Sequence, residues 1–169
     1  KLTVELPAEL HRDLVAYARP AGARTEPVEL AGILDEAARL AKPALKDKSA
    51  VLERVFENVP AVEGSRPALV QVFVNLVTNA AQATPPGGRV TVRLGHADGQ
   101  VRVVVEDEGP GLDAEAARRA FEPFFTTRPG VGIGLGLPIV LGIVERHGGR
   151  VWLESAAGKG TQVTVTLPL

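Results

Sequence analysis

The sequence predicts an α/β fold, a two-layer sandwich in which one mixed sheet carries its helices on a single face. Segments of two kinds alternate along the chain. In some, apolar residues recur every three or four positions, as in a helix, and in others short apolar runs typical of strands lie between turn residues. Because helices and strands interleave over only 169 residues, both layers must share one core.

Helices are predicted wherever apolar residues recur every three or four positions. Arg66–Ala83 is the longest, with Ser65 as its N-cap and a stop at Pro85. The other predicted helices cover residues 10–18, 30–45 as one amphipathic helix, 113–121 and 135–147.

The predicted strands follow turn signals. Val51–Phe56 forms the first, and residues 90–94 and 101–105 form a hairpin around the Asp98-Gly99 pair, with Asp107 just past its buried second strand. Residues 151–154 and 161–167 pair as a terminal hairpin.

Composition excludes several classes of function. The formal net charge of −1 gives no general attraction to nucleic acid, so we expect no such partner, and a polyanionic ligand needs a local device. The chain has no cysteine, which excludes disulfides and thiolate zinc sites and fits a reducing, cytoplasmic setting. No apolar run approaches the roughly 20 residues that span a bilayer, so any membrane anchor would belong to a longer parent protein.

A row of neutral amides marks one face of the long predicted helix. Gln71, Asn75, Asn79 and Gln82 follow helical spacing. A solvated surface is the alternative, but solvated faces usually carry Lys and Glu, whereas amide oxygens suit a hard cation such as Mg²⁺. The row therefore favours a binding site.

Three further segments point to a nucleotide. Asp107 begins the run DEGPG, in which glycines let the backbone approach a flat ligand, although a tight turn uses the same residues. Phe121, Phe124 and Phe125 cluster before a flexible stretch, where we expect both a core anchor and the hinge of a lid. Glycines then alternate over residues 130–136 before a helix, whose N-terminus favours anions. This pattern is neither the GxxxxGK[ST] loop nor the dinucleotide fingerprint.

The segments NLVTNA, DEGPG, FEPFFTT and GIGLGL, in this order, resemble the N, G1, F and G2 boxes of sensor histidine kinase catalytic domains. The resemblance covers about residues 28–169, and NAAQATPPGG with FFTTR is similar to the nitrogen-regulatory-type subgroup. It implies the Bergerat sandwich, with a mostly antiparallel sheet, and ATP and Mg²⁺ as ligands. DNA gyrase, mismatch-repair and heat-shock chaperone ATPases share this fold.

The resemblance also implies roles for single residues. Asp107 would accept a hydrogen bond from the adenine amino group, with Thr161 supporting that carboxylate. Asn79 would ligate Mg²⁺, and Asn75 would line the phosphate end one turn earlier. Arg128 would meet the terminal phosphate.

The remaining site residues implied by the resemblance flank the base, cradle the phosphates or line the lid. They are Gln82, Gly109, Gly111, Phe124, Thr126, Thr127, Gly132, Gly134, Leu135, Gly136 and Leu137. Two positions depart from the family pattern. Gln82 stands where many relatives carry a phosphate-contacting Lys or Arg, and Ile133 where a hydroxyl side chain is common.

The family's phosphoacceptor pattern, His-Glu-x-x-Asn-Pro, surrounds none of His11, His96 and His147. We interpret His147 as a cation near a helix C-terminus. Residues 1–22 resemble the tail of a dimerisation helix region and its linker, and residues 23–169 the catalytic domain. The implied partners are a phosphoacceptor His on the dimerisation domain of a homodimeric parent, and a response regulator.

Three alternatives remain open. A gyrase-type ATPase would carry a Glu four residues before the metal-binding Asn, where this chain has Asn75. A serine kinase acting on a sigma-factor antagonist is also a short single domain. A nucleotide-sensing interaction module would show the same ligand-binding motifs.

Overall fold

The computed structural model of the protein describes residues 24–125 and 136–169. Their main sheet has five strands, which are β2 Val51–Phe56, β4 Arg89–Ala97, β5 Gln100–Asp107, β6 Arg150–Ser155 and β7 Thr161–Pro168. The order of these strands across the sheet is β2-β4-β5-β7-β6. Only the β2–β4 pair is parallel, and the other three pairs are antiparallel. The expected mixed, mostly antiparallel sheet is confirmed.

Five helices are described. They are α1 Leu30–Leu40, α2 Lys42–Asp47, α3 Arg66–Ala83, α4 Ala114–Arg119 and α5 Gly136–Arg146. A small antiparallel sheet of β1 Glu26–Val28 and β3 Val62–Gly64 was not predicted from the sequence. Its strands are three residues long, too short to show a repeating apolar pattern.

The core lies between one face of the main sheet and the helices α1, α3 and α5. From α3 it takes fully buried Leu69 and Phe73, and from the sheet it takes alternate residues such as Val90 and Val103. Strand residues between these point to the opposite face, called here the polar face, where Arg93 and Arg102 are exposed. The expected separation into a sheet layer and a helix layer is thus observed.

The long helix α3 has the predicted bounds, and the Ser65 hydroxyl accepts the N–H of Ala68 at 3.4 Å, as expected for its N-cap. The prediction of one helix over residues 30–45 is wrong, because the chain forms α1 and α2 with a break at Ala41. Pro43 explains the break. Its ring has no N–H and would clash with the carbonyl four residues earlier in a continuous helix.

Two interpretations of single residues also need correction. The phenylalanine cluster is not a core anchor: Phe121 and Phe125 are half-buried, and Phe124 is 59% exposed with a positive φ of 67°. His147 is not a helix-end cation. Its Nε2 accepts the backbone N–H of Ser65 at 3.0 Å, which requires that nitrogen to be unprotonated.

Candidate functional site

The amide row of α3 lies against the N-terminus of α5. The Asn75 side chain accepts a hydrogen bond from Gln71 Nε2 at 2.7 Å and donates one to the Gly136 carbonyl at 3.3 Å. One turn further along α3, Asn79 lies so close that a Cβ added to Gly136 would sit 3.3 Å from its Nδ2. The predicted amide row therefore borders the start of α5, where backbone N–H groups favour an anion.

Asp107 ends β5 and is 9% exposed. Its Oδ1 accepts the N–H of Gly109 at 2.8 Å and the N–H of Thr161 at 3.3 Å. These amides come from the loop after β5 and from the start of β7, so two elements orient one carboxylate. Hydrogen bonds to a charged acceptor are stronger than neutral ones, which makes this an efficient way to hold the group.

The loop after β5, which begins beside Asp107, packs against the C-terminal end of α3. A Cβ added to Gly109 would lie 2.7 Å from the carbonyl oxygen of Ala83, so only glycine lets the loop approach the end of that helix. Ala83 is four residues after Asn79, which corresponds to about 6 Å along the helix axis. The geometry thus places the Asp107 carboxylate, through Gly109, near the C-terminal end of α3, about one turn beyond Asn79.

The same loop packs on the turn between β6 and β7. Gly111 has a φ of 73°, and a side chain there would collide with the Ala156 carbonyl. The N–H of Gly158 donates to the Pro110 carbonyl at 2.6 Å. Glycine at position 111 is therefore required both by its backbone conformation and by the close approach of two loops.

Ser155 lies at the centre of this contact and was missed by the sequence analysis. Its hydroxyl accepts the N–H of Leu112 at 2.8 Å and donates to the Gly160 carbonyl at 3.0 Å. It also lies 2.8 Å from Thr161 Oγ1, which must then be the donor because a hydroxyl has one proton. Thr161 therefore donates its backbone N–H to Asp107 and its side-chain hydroxyl to Ser155.

The other predicted site residues divide by location. Gln82 is half-buried on α3, Leu137 is half-buried against the core, and Phe124 is exposed. The rest lie outside the described residues: Thr126, Thr127, Arg128, Gly132, Gly134 and Leu135. Their roles stay predictions.

Comparison with known proteins identifies the family to which this chain belongs. Residues 64–169 match the family described as histidine kinase-, DNA gyrase B-, and HSP90-like ATPase. The chain belongs to this family. It is an ATP-binding catalytic domain homologous to those of sensor histidine kinases.

Individual relatives of this ATPase-family domain are similar in sequence and in fold. Sporulation kinase C of Bacillus subtilis is 33% identical over 159 residues, which cover 93% of this chain and 37% of that protein. The catalytic domain of histidine kinase ThkA is 29% identical, with a TM-score of 0.77 over 86% of this chain and 95% of that one. Full-length ShkA in complex with AMPPNP is 28% identical, with a TM-score of 0.82 over 98% of this chain and 40% of that one.

A magnesium site in this ATP-binding domain would have few protein ligands. Across residues 24–125 and 136–169 there is no group of three or more His, Cys, Asp or Glu side chains that could hold a metal ion. A neutral amide such as Asn79 still fits, because Mg²⁺ commonly takes one or two protein oxygens and completes its shell with substrate phosphates and water.

Within residues 24–125 and 136–169, no helix is long and apolar enough to cross a membrane.

Proposed function

We propose that this domain binds ATP together with Mg²⁺ and transfers the γ-phosphate to a His on the dimerisation domain of a parent sensor kinase. A response regulator would receive the phosphate next. The chain spans 37% of the length of Sporulation kinase C, so these activities belong to a longer protein. We further propose that residues 1–22 belong to the dimerisation region, that the parent is a homodimer, and that the domain works in the cytoplasm.

The observation that carries the proposal is the fixed carboxylate of Asp107 beside the amide row of α3. The N–H groups of Gly109 and Thr161 orient the carboxylate through Oδ1, which prepares it to accept the adenine amino group. Guanine presents a carbonyl at the corresponding position and would be repelled. A buried polar group left unpaired costs about 1–3 kcal/mol, so the site would discriminate between the two bases.

The phosphate end would lie between α3 and α5. The first N–H groups of α5 favour negative charge, and the side chain of Asn79 lies beside that helix start. Bound Mg²⁺, held by Asn79 and phosphate oxygens, would supply neutralisation of the charge on the phosphates. Asn75 is an amide and takes no proton from water, so the site would position ATP for transfer and would not promote its hydrolysis.

Labelling with ATP that carries a radioactive γ-phosphate tests the transfer step. The chain is incubated with Mg²⁺·ATP and the parent's dimerisation domain, and we expect acid-labile, base-stable label on that domain's His. The chain alone should stay unlabelled, because none of its own His residues has the acceptor pattern. ATP binding without label on the acceptor domain would contradict the kinase proposal and indicate a nucleotide-sensing module.

A further inference from the structure

On the polar face of the sheet, two arginine side chains contact the ring of Trp152 on β6. The guanidinium carbon of Arg102 lies 5.8 Å from the centroid of the indole, and that of Arg150 lies 5.6 Å from it. Both arginines are opposite Thr166 in the strand register, one on each side of β7. These four residues are called here the arginine–tryptophan cluster. Contact with the ring restrains both guanidinium groups, which lowers the entropy lost when they bind an acceptor.

The arginines of this cluster differ from the other arginines of the same face. On β4, Arg89 pairs with Glu53 at 3.2 Å and Arg93 pairs with Glu106 at 3.1 Å. Within the described ranges, Arg102 and Arg150 have no acidic partner at salt-bridge distance, although the side chains of both are exposed. The cluster is therefore a local positive charge on a chain whose net charge is −1.

A buried hydroxyl lies between the two arginines. Thr166 is 2% exposed, and its Oγ1 has no hydrogen-bond partner in the part of the chain that the structure describes. Such a group costs about 1–3 kcal/mol in a folded protein. The cluster thus contains an unsatisfied hydroxyl as well as two arginines without an acidic partner among the described residues.

We propose that the arginine–tryptophan cluster binds a carboxylate side chain of a partner protein, on an extended segment that lies along β6. Within the described sheet, β6 is an edge strand that pairs only with β7. Its outer backbone groups are available for strand addition, which fixes a peptide by main-chain hydrogen bonds and reads it by alternate side chains. A guanidinium group recognises a carboxylate in a bidentate geometry.

The charge pattern along β6 favours a protein over a polyanion. Glu154 follows Arg150 by four residues, lies on the same face and is exposed, with no ion pair among the described residues. Nucleic acid or an anionic membrane covering the strand would bring negative charge against Glu154. The matching segment carries an acidic residue opposite Arg150 and, four positions away, a basic residue opposite Glu154.

Trp152 is the only tryptophan of the chain, so its fluorescence reports on the cluster directly. The probes are two seven-residue peptides of Thr and Val, one with Glu at its second position and Lys at its sixth, and one with these two residues exchanged. The first matches β6 as a parallel added strand and the second as an antiparallel one. We expect a saturable fluorescence change in the full chain, and a Kd at least about tenfold weaker for a peptide with Gln in place of Glu. Affinities are compared, since the amplitude changes whenever a group beside the indole is replaced.

Matched variants separate the cluster from general charge. Arg102→Ala with Arg150→Ala should weaken peptide binding at least about tenfold, whereas Arg89→Ala with Arg93→Ala removes the same charge from the same face and should not. If the first pair unfolds, Arg102→Lys with Arg150→Lys keeps the charge, loses the bidentate geometry and should still weaken binding. An absent response, equal binding of the Gln peptide, or equal loss in the Arg89 and Arg93 control overturns the proposal. A stronger response to single-stranded DNA or anionic vesicles also overturns it.

Discussion

His147 Nε2 accepts the backbone N–H of Ser65 at 3.0 Å, across 82 positions of sequence. The other ring nitrogen lies 2.8 Å from the Ile143 carbonyl and must be the donor of that hydrogen bond. The imidazole is therefore a neutral tautomer with its proton on Nδ1. It links the end of α5 to the start of α3, the two helices that border the proposed phosphate end of the site.

Replacing His147 should destabilise the fold. In His147→Ala the buried N–H of Ser65 loses its acceptor, so we expect the free energy of unfolding to fall by about 1–3 kcal/mol in urea titrations. His96→Ala, at an exposed position on β4, is the matched control and should change stability by less than about 0.5 kcal/mol. Equal stability of the two variants would contradict the structural role of His147.

Ser155 should affect nucleotide binding through the backbone that it holds. Ser155→Ala leaves the Leu112 N–H and the Thr161 hydroxyl without their partner, and Thr161 also supports Asp107 through its backbone. We expect the Kd for Mg²⁺·ATP, measured by calorimetry, to rise by about tenfold. Ser155→Thr keeps the hydroxyl and should recover most of the affinity. An alanine variant that binds ATP like the unmodified chain would exclude this positioning role.

Asp107 should determine the choice of base. In Asp107→Asn one oxygen can still accept the N–H groups of Gly109 and Thr161, but an NH₂ group then faces the proposed adenine amino group, donor against donor. We expect ATP affinity to fall at least about tenfold, and the unmodified chain to prefer ATP over GTP. Glu108→Gln removes the same charge from the neighbouring exposed position and should leave binding unchanged. Equal affinity for ATP and GTP would contradict the assignment.

Local patterns were sufficient for the parts of the site that lie on one element. The amide row and the cap of α3 follow from helical spacing within a single segment. The sequence also contained the reason for the break at Ala41, since Pro43 cannot continue the helix, but the apolar stripe across residues 30–45 masked it. The helix-breaking proline was visible in the sequence, but the apolar stripe at helical spacing was the stronger pattern and favoured one continuous helix.

Long-range contacts could not be predicted in the same way. Ser155 meets Leu112 across 43 positions, and His147 meets Ser65 across 82. No spacing rule links such residues, because their proximity depends on how the sheet and helices pack. The parallel pairing of β2 with β4 is another product of topology. The nitrogen-regulatory-type subgroup and the division of the chain at residue 22 stay predictions.

Asn75 provides a test of whether the site is built for phosphate transfer or for hydrolysis. Its side chain is held at both ends, by Gln71 and by the Gly136 carbonyl, one turn before Asn79 on the same face of α3. A carboxylate at this position could take a proton from an attacking water, whereas an amide can only orient that water. General-base assistance contributes about 10²–10⁴-fold. We therefore expect negligible steady-state ATPase activity in the unmodified chain, measured as phosphate release.

Asn75→Glu should raise the rate of phosphate release measurably, provided that calorimetry shows Mg²⁺·ATP binding surviving the added charge. Asn75→Gln is the matched control, because it lengthens the side chain by a similar amount, supplies no base, and should stay inactive. Slow hydrolysis suits a kinase, since ATP must persist until an acceptor His arrives. Rapid phosphate release by the unmodified chain, abolished by Asn79→Ala, would instead identify a self-sufficient ATPase and contradict the proposed transfer to histidine.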